Sequence, residues 1–118
     1  MTENEIRESI NAHDARNAEL LRTIVEKGIA LDRERSVEFH FWAPNQTNAA
    51  GLAKELYNYG YLVLAISPTQ VEDGSTWWNV EAEIKRTPED AASRETSEGL
   101  VRLATQFEGS YDGWGTSI

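Results

Sequence analysis

The stretch "TWWNVEAEIKR", Thr76 to Arg86, places two kinds of side chain at alternating positions. One set is apolar and consists of Trp78, Val80, Ala82 and Ile84, and the other is mainly polar and consists of Trp77, Asn79, Glu81, Glu83 and Lys85. Successive side chains of a β-strand point to opposite faces of the sheet. The stretch therefore predicts a strand with one face on the core.

A second strand with the same alternation is predicted at "SVEFHFWA", Ser36 to Ala43. Val37, Phe39 and Phe41 form its apolar side, and the opposite side carries Glu38, His40 and Trp42. Two further strands are predicted at "YLVLAISP", Tyr61 to Pro68, and in the closing "SYDGWGTSI". The first of these is a continuous apolar run of β-forming residues, and the second is short.

Three helices are predicted between and before these strands. Apolar residues at steps of mostly three and four predict a long helix from Glu3 to Lys27, followed by Gly28. A second helix is predicted in "NQTNAAGLAKELYNYG", which ends at Gly60. The third begins at "TPED", where Thr87 is a capping residue and Pro88 fits the first helical position, and it ends at Gly109.

The predicted order is one helix followed by strand, helix, strand, strand, helix and strand. A β-α-β-β-α-β series predicts an α+β, ferredoxin-like fold, in which two helices cover one face of a four-stranded antiparallel sheet. We expect one domain over residues 1–118, with an additional N-terminal helix at 1–28 and the ferredoxin-like core at 36–118. The second face of the sheet is either bare or covered by the N-terminal helix.

Composition excludes several classes of function. Eleven Lys and Arg against twenty Asp and Glu give a net charge of −9. This charge opposes direct RNA or DNA binding, which depends on basic residues, and favours a basic partner. The absence of cysteine excludes disulfides and thiolate metal sites. No segment is apolar enough to span a membrane, and we expect a cytoplasmic protein.

The face of the two central strands away from the helices is the most distinctive predicted surface. It carries Glu38, His40, Trp42, Trp77, Asn79, Glu81 and Glu83. Aromatic residues among polar neighbours are typical of protein–protein interfaces. The alternative is that the N-terminal helix covers both tryptophans, because exposed tryptophans need cover.

Catalytic and metal-binding interpretations are less favoured. His40 with Glu38, Glu81 and Glu83 has residue types that ligate a divalent metal or transfer protons, but it offers one histidine and no cysteine. Ser110, His40 and Asp112 have the residue types of a hydrolytic triad, but no nucleophile-elbow motif is present. The closing "GWG" lacks the spacing of a phosphate loop. We therefore predict a protein without enzymatic activity or a cofactor. The other histidine, His13, lies on the apolar side of the predicted first helix, and we expect it to be packed against the core.

The closing "YDGWGT", Tyr111 to Thr116, resembles the end motif of the RraB family, the regulators of ribonuclease E activity. The strand "FHFWA" and the helix end and strand "YGYLVL" are similar to that family as well. The resemblance covers about Val37 to Thr116. Regulators in that family tend to carry an acidic extension after the motif, whereas this sequence ends at Ile118. The resemblance therefore supports an inference about the fold more strongly than one about the binding partner.

The resemblance implies a bacterial cytoplasmic protein that binds the non-catalytic region of ribonuclease E and lowers its RNA-cleaving activity. A homodimer that pairs its open sheet faces, or a module with another partner, is the alternative. We expect the partner-binding residues to be His40, Trp42, Trp77, Asn79, Glu81, Tyr111, Asp112 and Trp114.

Overall fold

The computed structural model describes residues 1–118 and contains four helices and four strands. In chain order the elements are α1 (Glu3–Glu26), β1 (Arg35–Ala43), α2 (Gln46–Asn58), β2 (Leu62–Gln70), β3 (Thr76–Arg86), α3 (Pro88–Ala92), α4 (Arg94–Gln106) and β4 (Ser110–Gly115). All predicted strands and helices are present. None of the helices combines the length and apolar character that crossing a membrane requires.

The four strands form one antiparallel sheet in the order β2-β3-β1-β4. The strands β1 and β3 are therefore the central neighbours, and the predicted ferredoxin-like α+β fold is confirmed. Their register pairs Phe39 with Ala82 and Phe41 with Val80, so that the apolar sides of both strands face the same way. These four side chains are completely buried beneath the helices.

The helix α1 lies in the same layer as the other helices, where it packs against α3 and α4. Two ion pairs join it to α4, Asp14 with Arg94 and Glu3 with Arg102, the latter at 2.7 Å. Thr2 and Glu5 begin the helix with a capping box. Because α1 lies beside α4, it does not cover the second face of the sheet, and that face is bare.

The predicted third helix is interrupted at Ser93. This residue has an extended backbone (φ −65°, ψ 147°), and its Oγ accepts a hydrogen bond of 3.2 Å from the Thr96 N–H. Its own N–H donates to the Asp90 carbonyl oxygen, which closes α3. A serine competes for backbone partners and favours a cap over a helix interior. The prediction of one continuous helix is therefore wrong at this residue.

The end of α4 also differs in detail from the expected glycine stop. Glu108 takes the left-handed conformation (φ 57°), and Gly109 does not. A Cβ atom at Gly109 would clash with the carbonyl oxygen of Trp42. Glycine is required here because two backbone segments approach closely, which lets β4 begin beside β1.

Candidate protein-binding surface

The bare face of the sheet carries the polar side of both central strands. The register places Glu38 opposite Glu83, His40 opposite Glu81 and Trp42 opposite Asn79. The strand alternation positions these side chains, since their neighbours Val37, Phe39 and Phe41 are buried. We call this set, together with Trp77, the open face. The open face brings together five of the residues predicted to bind a partner: His40, Trp42, Trp77, Asn79 and Glu81.

Carboxylates on the open face have little electrostatic compensation. Glu38 and Glu83 form a like-charged cross-strand pair, an arrangement that is destabilising. His40 lies between the acids, with its Nε2 3.9 Å from the Glu38 carboxylate and its Nδ1 3.8 Å from that of Glu81. Both distances exceed hydrogen-bond length. Neither Glu81 nor Glu83 is paired with a Lys or Arg. The face therefore favours a cationic group from outside.

One end of the open face is aromatic. Trp42 and Trp77 are half-buried and, together with Val71 and Ser110, line a shallow depression of about 290 Å³. Asn79 is fixed beside them, because its Nδ2 donates a hydrogen bond of 3.3 Å to the Phe41 carbonyl oxygen. Large aromatic side chains next to a fixed amide are suited to anchoring a polypeptide.

The two aromatic side chains of the closing motif lie on the other side of the sheet from this depression. Tyr111 and Trp114 are only 5% and 8% exposed and pack with Phe39 and Phe41 in the core. The structure therefore gives these two predicted site residues no surface with which to contact a partner directly. Asp112 is exposed at the bulge of β4 and makes no side-chain hydrogen bond. Gly113 follows with a φ of 122°, a conformation that favours glycine.

Two side chains of α1, His13 and Asn17, hold the closing motif in place. The Nε2 of His13 donates to the Tyr111 carbonyl oxygen at 3.0 Å, and the rings of these residues stack at 4.5 Å. Arg16 donates to the Nδ1 of His13 at 3.3 Å. Burial of the imidazole, aided by Arg16, lowers the pKa of His13. The buried ring donates from its Nε2 and accepts at its Nδ1, which gives it a structural role and confirms the packing expected of it.

Asn17 completes this attachment, and the sequence reasoning did not single it out. Its Oδ1 accepts from the Trp114 indole N–H at 2.9 Å, and its Nδ2 donates to the Ser97 hydroxyl and the Ala92 carbonyl oxygen. The residue is buried and every polar atom of its amide is used. Its position one helical turn after His13, on the same face of α1, is the signal that points to it.

The arrangement does not assemble the catalytic groups weighed from the sequence. His40 has no carboxylate within hydrogen-bond distance, and it forms no hydrogen bond with Ser110 or Asp112. No three His, Asp or Glu side chains converge as a possible metal site. A polar notch of about 370 Å³ does adjoin His40, and it is lined mainly by α1 and β4.

Comparison with known proteins identifies the relatives of this chain. Its residues 14–116 match the family described as "Regulator of ribonuclease activity B" (RraB). The chain belongs to the RraB family. The RraB match includes α1 from Asp14 onward, all four strands and the closing motif. The resemblance stated from "YDGWGT" is thereby confirmed.

Curated relatives of this name are 23% to 30% identical to this chain over the aligned residues. A protein of Psychromonas ingrahamii is 30% identical over 83% of this chain and 81% of its own length. One from Shewanella denitrificans is 28% identical over 86% and 79%, respectively. Both are named "Regulator of ribonuclease activity B". These are names of regulators, which supports the prediction of a non-enzymatic, regulatory protein.

Proposed function

We propose that this protein binds the non-catalytic region of ribonuclease E in the cytoplasm and thereby lowers RNA cleavage by that enzyme. RraB membership supports a regulatory role, because the family is described by its effect on ribonuclease activity. The ribonuclease and its region are the finer part of the proposal. They rest on the family resemblance and on the chemistry of the open face.

The observation that carries the proposal is the unpaired charge of the open face. Glu38 and Glu83 stand opposite each other, and Glu81 has only His40 nearby. A Lys or Arg from a basic polypeptide would relieve this repulsion and gain from the overall charge of −9. The same carboxylates would repel the negatively charged phosphates of RNA.

The aromatic end supplies the apolar part of the contact. Interfaces obtain most of their affinity from a few buried aromatic or Arg anchors, and charged residues mainly set specificity and association rate. Trp42 and Trp77 are suited to the first role and Glu81 to the second. Together they favour a partner segment with basic residues next to an apolar one.

We assign the closing motif an indirect part in this function. Trp114 and Tyr111 fasten β4 to α1 through Asn17 and His13, and β4 in turn pairs with β1. A disturbed motif would displace His40 and Trp42, which pair with Gly113 and Ser110. These cross-contacts also support the proposal that residues 1–118 act as one domain.

The experiment is a calorimetric titration of the purified non-catalytic region of ribonuclease E into the full chain, at low and high salt. We expect saturable binding that Trp42→Ala weakens by about tenfold or more, as loss of an interface anchor does, and that high salt also weakens. A parallel RNA-cleavage assay should show inhibition that Trp42→Ala relieves. Absence of binding at low salt would refute the proposal for this protein.

A further inference from the structure

A cleft lies between α4 and the neighbouring ends of α2 and β3. Its volume of about 340 Å³ falls within the range of small-molecule sites. We call it the α4 cleft. The residues that set its chemistry are Tyr61, Arg86, Glu95, Gly99, Leu100 and Leu103. None of them belongs to the open face, so the α4 cleft is a separate site.

Arg86 supplies a cation without a partner in the α4 cleft. Its side chain is half-buried, and the guanidinium lies 5.8 Å from the centre of the Tyr61 ring. It forms no ion pair and no hydrogen bond within the protein. The other two half-buried arginines, Arg35 and Arg102, both donate hydrogen bonds to protein groups. Because a guanidinium matches the geometry of a carboxylate, Arg86 is suited to bind one.

Tyr61 supplies a second donor without a partner at the same place. The residue is only 6% exposed, and its ring packs edge-to-face with Phe39 at 5.6 Å. Its hydroxyl forms no hydrogen bond within the protein and, unlike the hydroxyl of Tyr111, is not sealed from solvent. A buried tyrosine usually finds a partner for its O–H. A carboxylate bound to the neighbouring Arg86 would provide that partner.

The apolar part of the α4 cleft consists of Leu100 and Leu103, which are both buried. Beside them Gly99 lies in the interior of α4, and a Cβ atom there would meet no atom within 4 Å. Glycine is unfavourable inside a helix compared with alanine, and neither packing nor a positive φ requires it here. The missing side chain lets an apolar group lie directly on the backbone of α4.

Charge limits the ligand to a single negative charge. Arg102 also lines the cleft, but it is paired with Glu3 at 2.7 Å and with Glu98 at 3.0 Å. Glu95 adds an unpaired carboxylate, and the whole chain carries a charge of −9. A multiply charged anion is therefore repelled. A monocarboxylate needs only Arg86, and burial of an apolar body adds to its binding.

We propose that the α4 cleft binds a small monocarboxylate with an apolar or aromatic body. The carboxylate accepts hydrogen bonds from the guanidinium of Arg86 and the hydroxyl of Tyr61. The body lies over Gly99 and against Leu100 and Leu103. The proposal goes beyond the ribonuclease contact, since the cleft is formed with α4, on the opposite side of the sheet from the open face.

The test is a titration of phenylacetate into the isotope-labelled full chain, followed by the NMR shifts of the backbone amides. Phenylacetamide is the matched ligand without the charge, and phenyl phosphate is the doubly charged one. Arg86→Gln removes the cation, and Gly99→Leu fills the cleft. Arg33→Gln is the control, because Arg33 is exposed before β1 and its replacement removes the same charge. No ribonuclease is present, so the result is independent of that contact.

Thermal melting establishes that each variant is folded. Gly99→Leu should melt at or above the wild-type temperature, because leucine favours a helix more than glycine does. For the wild-type chain we expect saturable shifts centred on Gly99, with a dissociation constant of about 1 mM or lower for phenylacetate. Phenylacetamide should bind about tenfold more weakly or worse, and phenyl phosphate should also bind more weakly than phenylacetate.

Among the variants, Arg86→Gln should weaken phenylacetate binding about tenfold or more, and Gly99→Leu should abolish it. Arg33→Gln should leave it within about twofold. Absence of shifts at about 10 mM phenylacetate, or shifts centred outside the cleft, would overturn the proposal. So would equal binding of the amide, tighter binding of phenyl phosphate, or undiminished binding in Arg86→Gln or in a folded Gly99→Leu.

Discussion

The helical layer and the open face of the sheet differ in whether their carboxylates form ion pairs with arginine. Every Arg–carboxylate pair of the protein lies on the helices α1 and α4, as with Glu98 and Arg102 at 3.0 Å. On the open face, His40 lies 3.9 Å from Glu38 and 3.8 Å from Glu81, and Glu83 has no ion pair. Four acidic side chains of the helices are paired with arginine within the molecule, namely Glu3, Asp14, Glu19 and Glu98. Those of the open face have no such partner and are available to a binding protein.

The same division runs along a single strand. In β1, Phe39 and Phe41 are buried in the core, and their neighbours His40 and Trp42 face outward on the sheet. Stability and binding are therefore assigned to alternate residues of the same strand. Substitutions at adjacent positions should separate the two properties.

The largest expected effect is that of Phe41→Ala. Phe41 is fully buried, and its ring lies 5.3 Å from that of Tyr111. Loss of a buried Phe costs about 3–5 kcal/mol of unfolding free energy, through lost transfer energy and the cavity left behind. Urea unfolding measures this value, and the adjacent Trp42→Ala should lose only about 1 kcal/mol, as is usual away from the core. Equal losses would remove the distinction between the two sides of β1.

Asn17→Ala should have the next largest effect on stability. It leaves the buried indole N–H of Trp114 and the Ser97 hydroxyl without their partner, at a cost of about 1–3 kcal/mol. Asn11→Ala is the matched control, since Asn11 is exposed on the same helix and accepts one hydrogen bond from Arg94. It should change the unfolding free energy by less than about 0.5 kcal/mol. A similar loss in both variants would show that Asn17 is not the attachment point of β4.

Acid should weaken the attachment of β4 through His13. Burial holds the pKa of His13 below its usual value of 6.5, so below that pH the unfolded chain binds a proton that the folded chain excludes. Stability from this group is therefore full above pH 6.5 and is lost as the pH falls toward the lowered pKa. Thermal melting between pH 7.5 and 5 checks this prediction, and the melting temperature should fall as the pH falls below 6.5. His13→Gln should flatten the pH dependence in this window, and an unchanged dependence in that variant would contradict the assignment.

The smallest expected effect is that of Tyr111→Phe. The hydroxyl of Tyr111 is buried without a hydrogen-bond partner, and burial raises its pKa. Removing the hydroxyl leaves the ring packing intact, and we expect a change from neutral to about 1 kcal/mol of added stability. Binding to ribonuclease E should be unchanged in the titration. A clear loss of binding would mean that this residue contacts the partner after all.

The sequence predicts this fold well because apolar and polar side chains alternate in its two central strands. The alternation in "TWWNVEAEIKR" and "SVEFHFWA" fixes the faces of β3 and β1, and their side chains are divided as expected. The predicted ferredoxin-like order already places the run "YLVLAISP" at the sheet edge. Because the run has no alternation, the exposure of Leu62 and Leu64 could not be predicted. A short continuous apolar run is typical of a fully buried strand, so the pattern gives no sign of this exposure.

The candidate site could be predicted in part. The open face follows from the strand period, but its bareness depends on where α1 packs, and an amphipathic helix fits either side of the sheet. The burial of Tyr111 and Trp114 depends on contacts with His13 and Asn17, which lie about a hundred residues away in the chain (98 and 97 residues, respectively). Local sequence patterns do not specify such long-range pairings.

The most direct test of the central claim compares two double variants that remove the same charge. Glu81→Gln with Glu83→Gln neutralises the open face, and Glu89→Gln with Glu95→Gln neutralises two exposed carboxylates on α3 and α4. In titrations against the non-catalytic region of ribonuclease E, the first pair should weaken binding about tenfold or more, and the second less than about threefold. Equal weakening would contradict the claim, because it would show that net charge, and not the open face, recognises the partner.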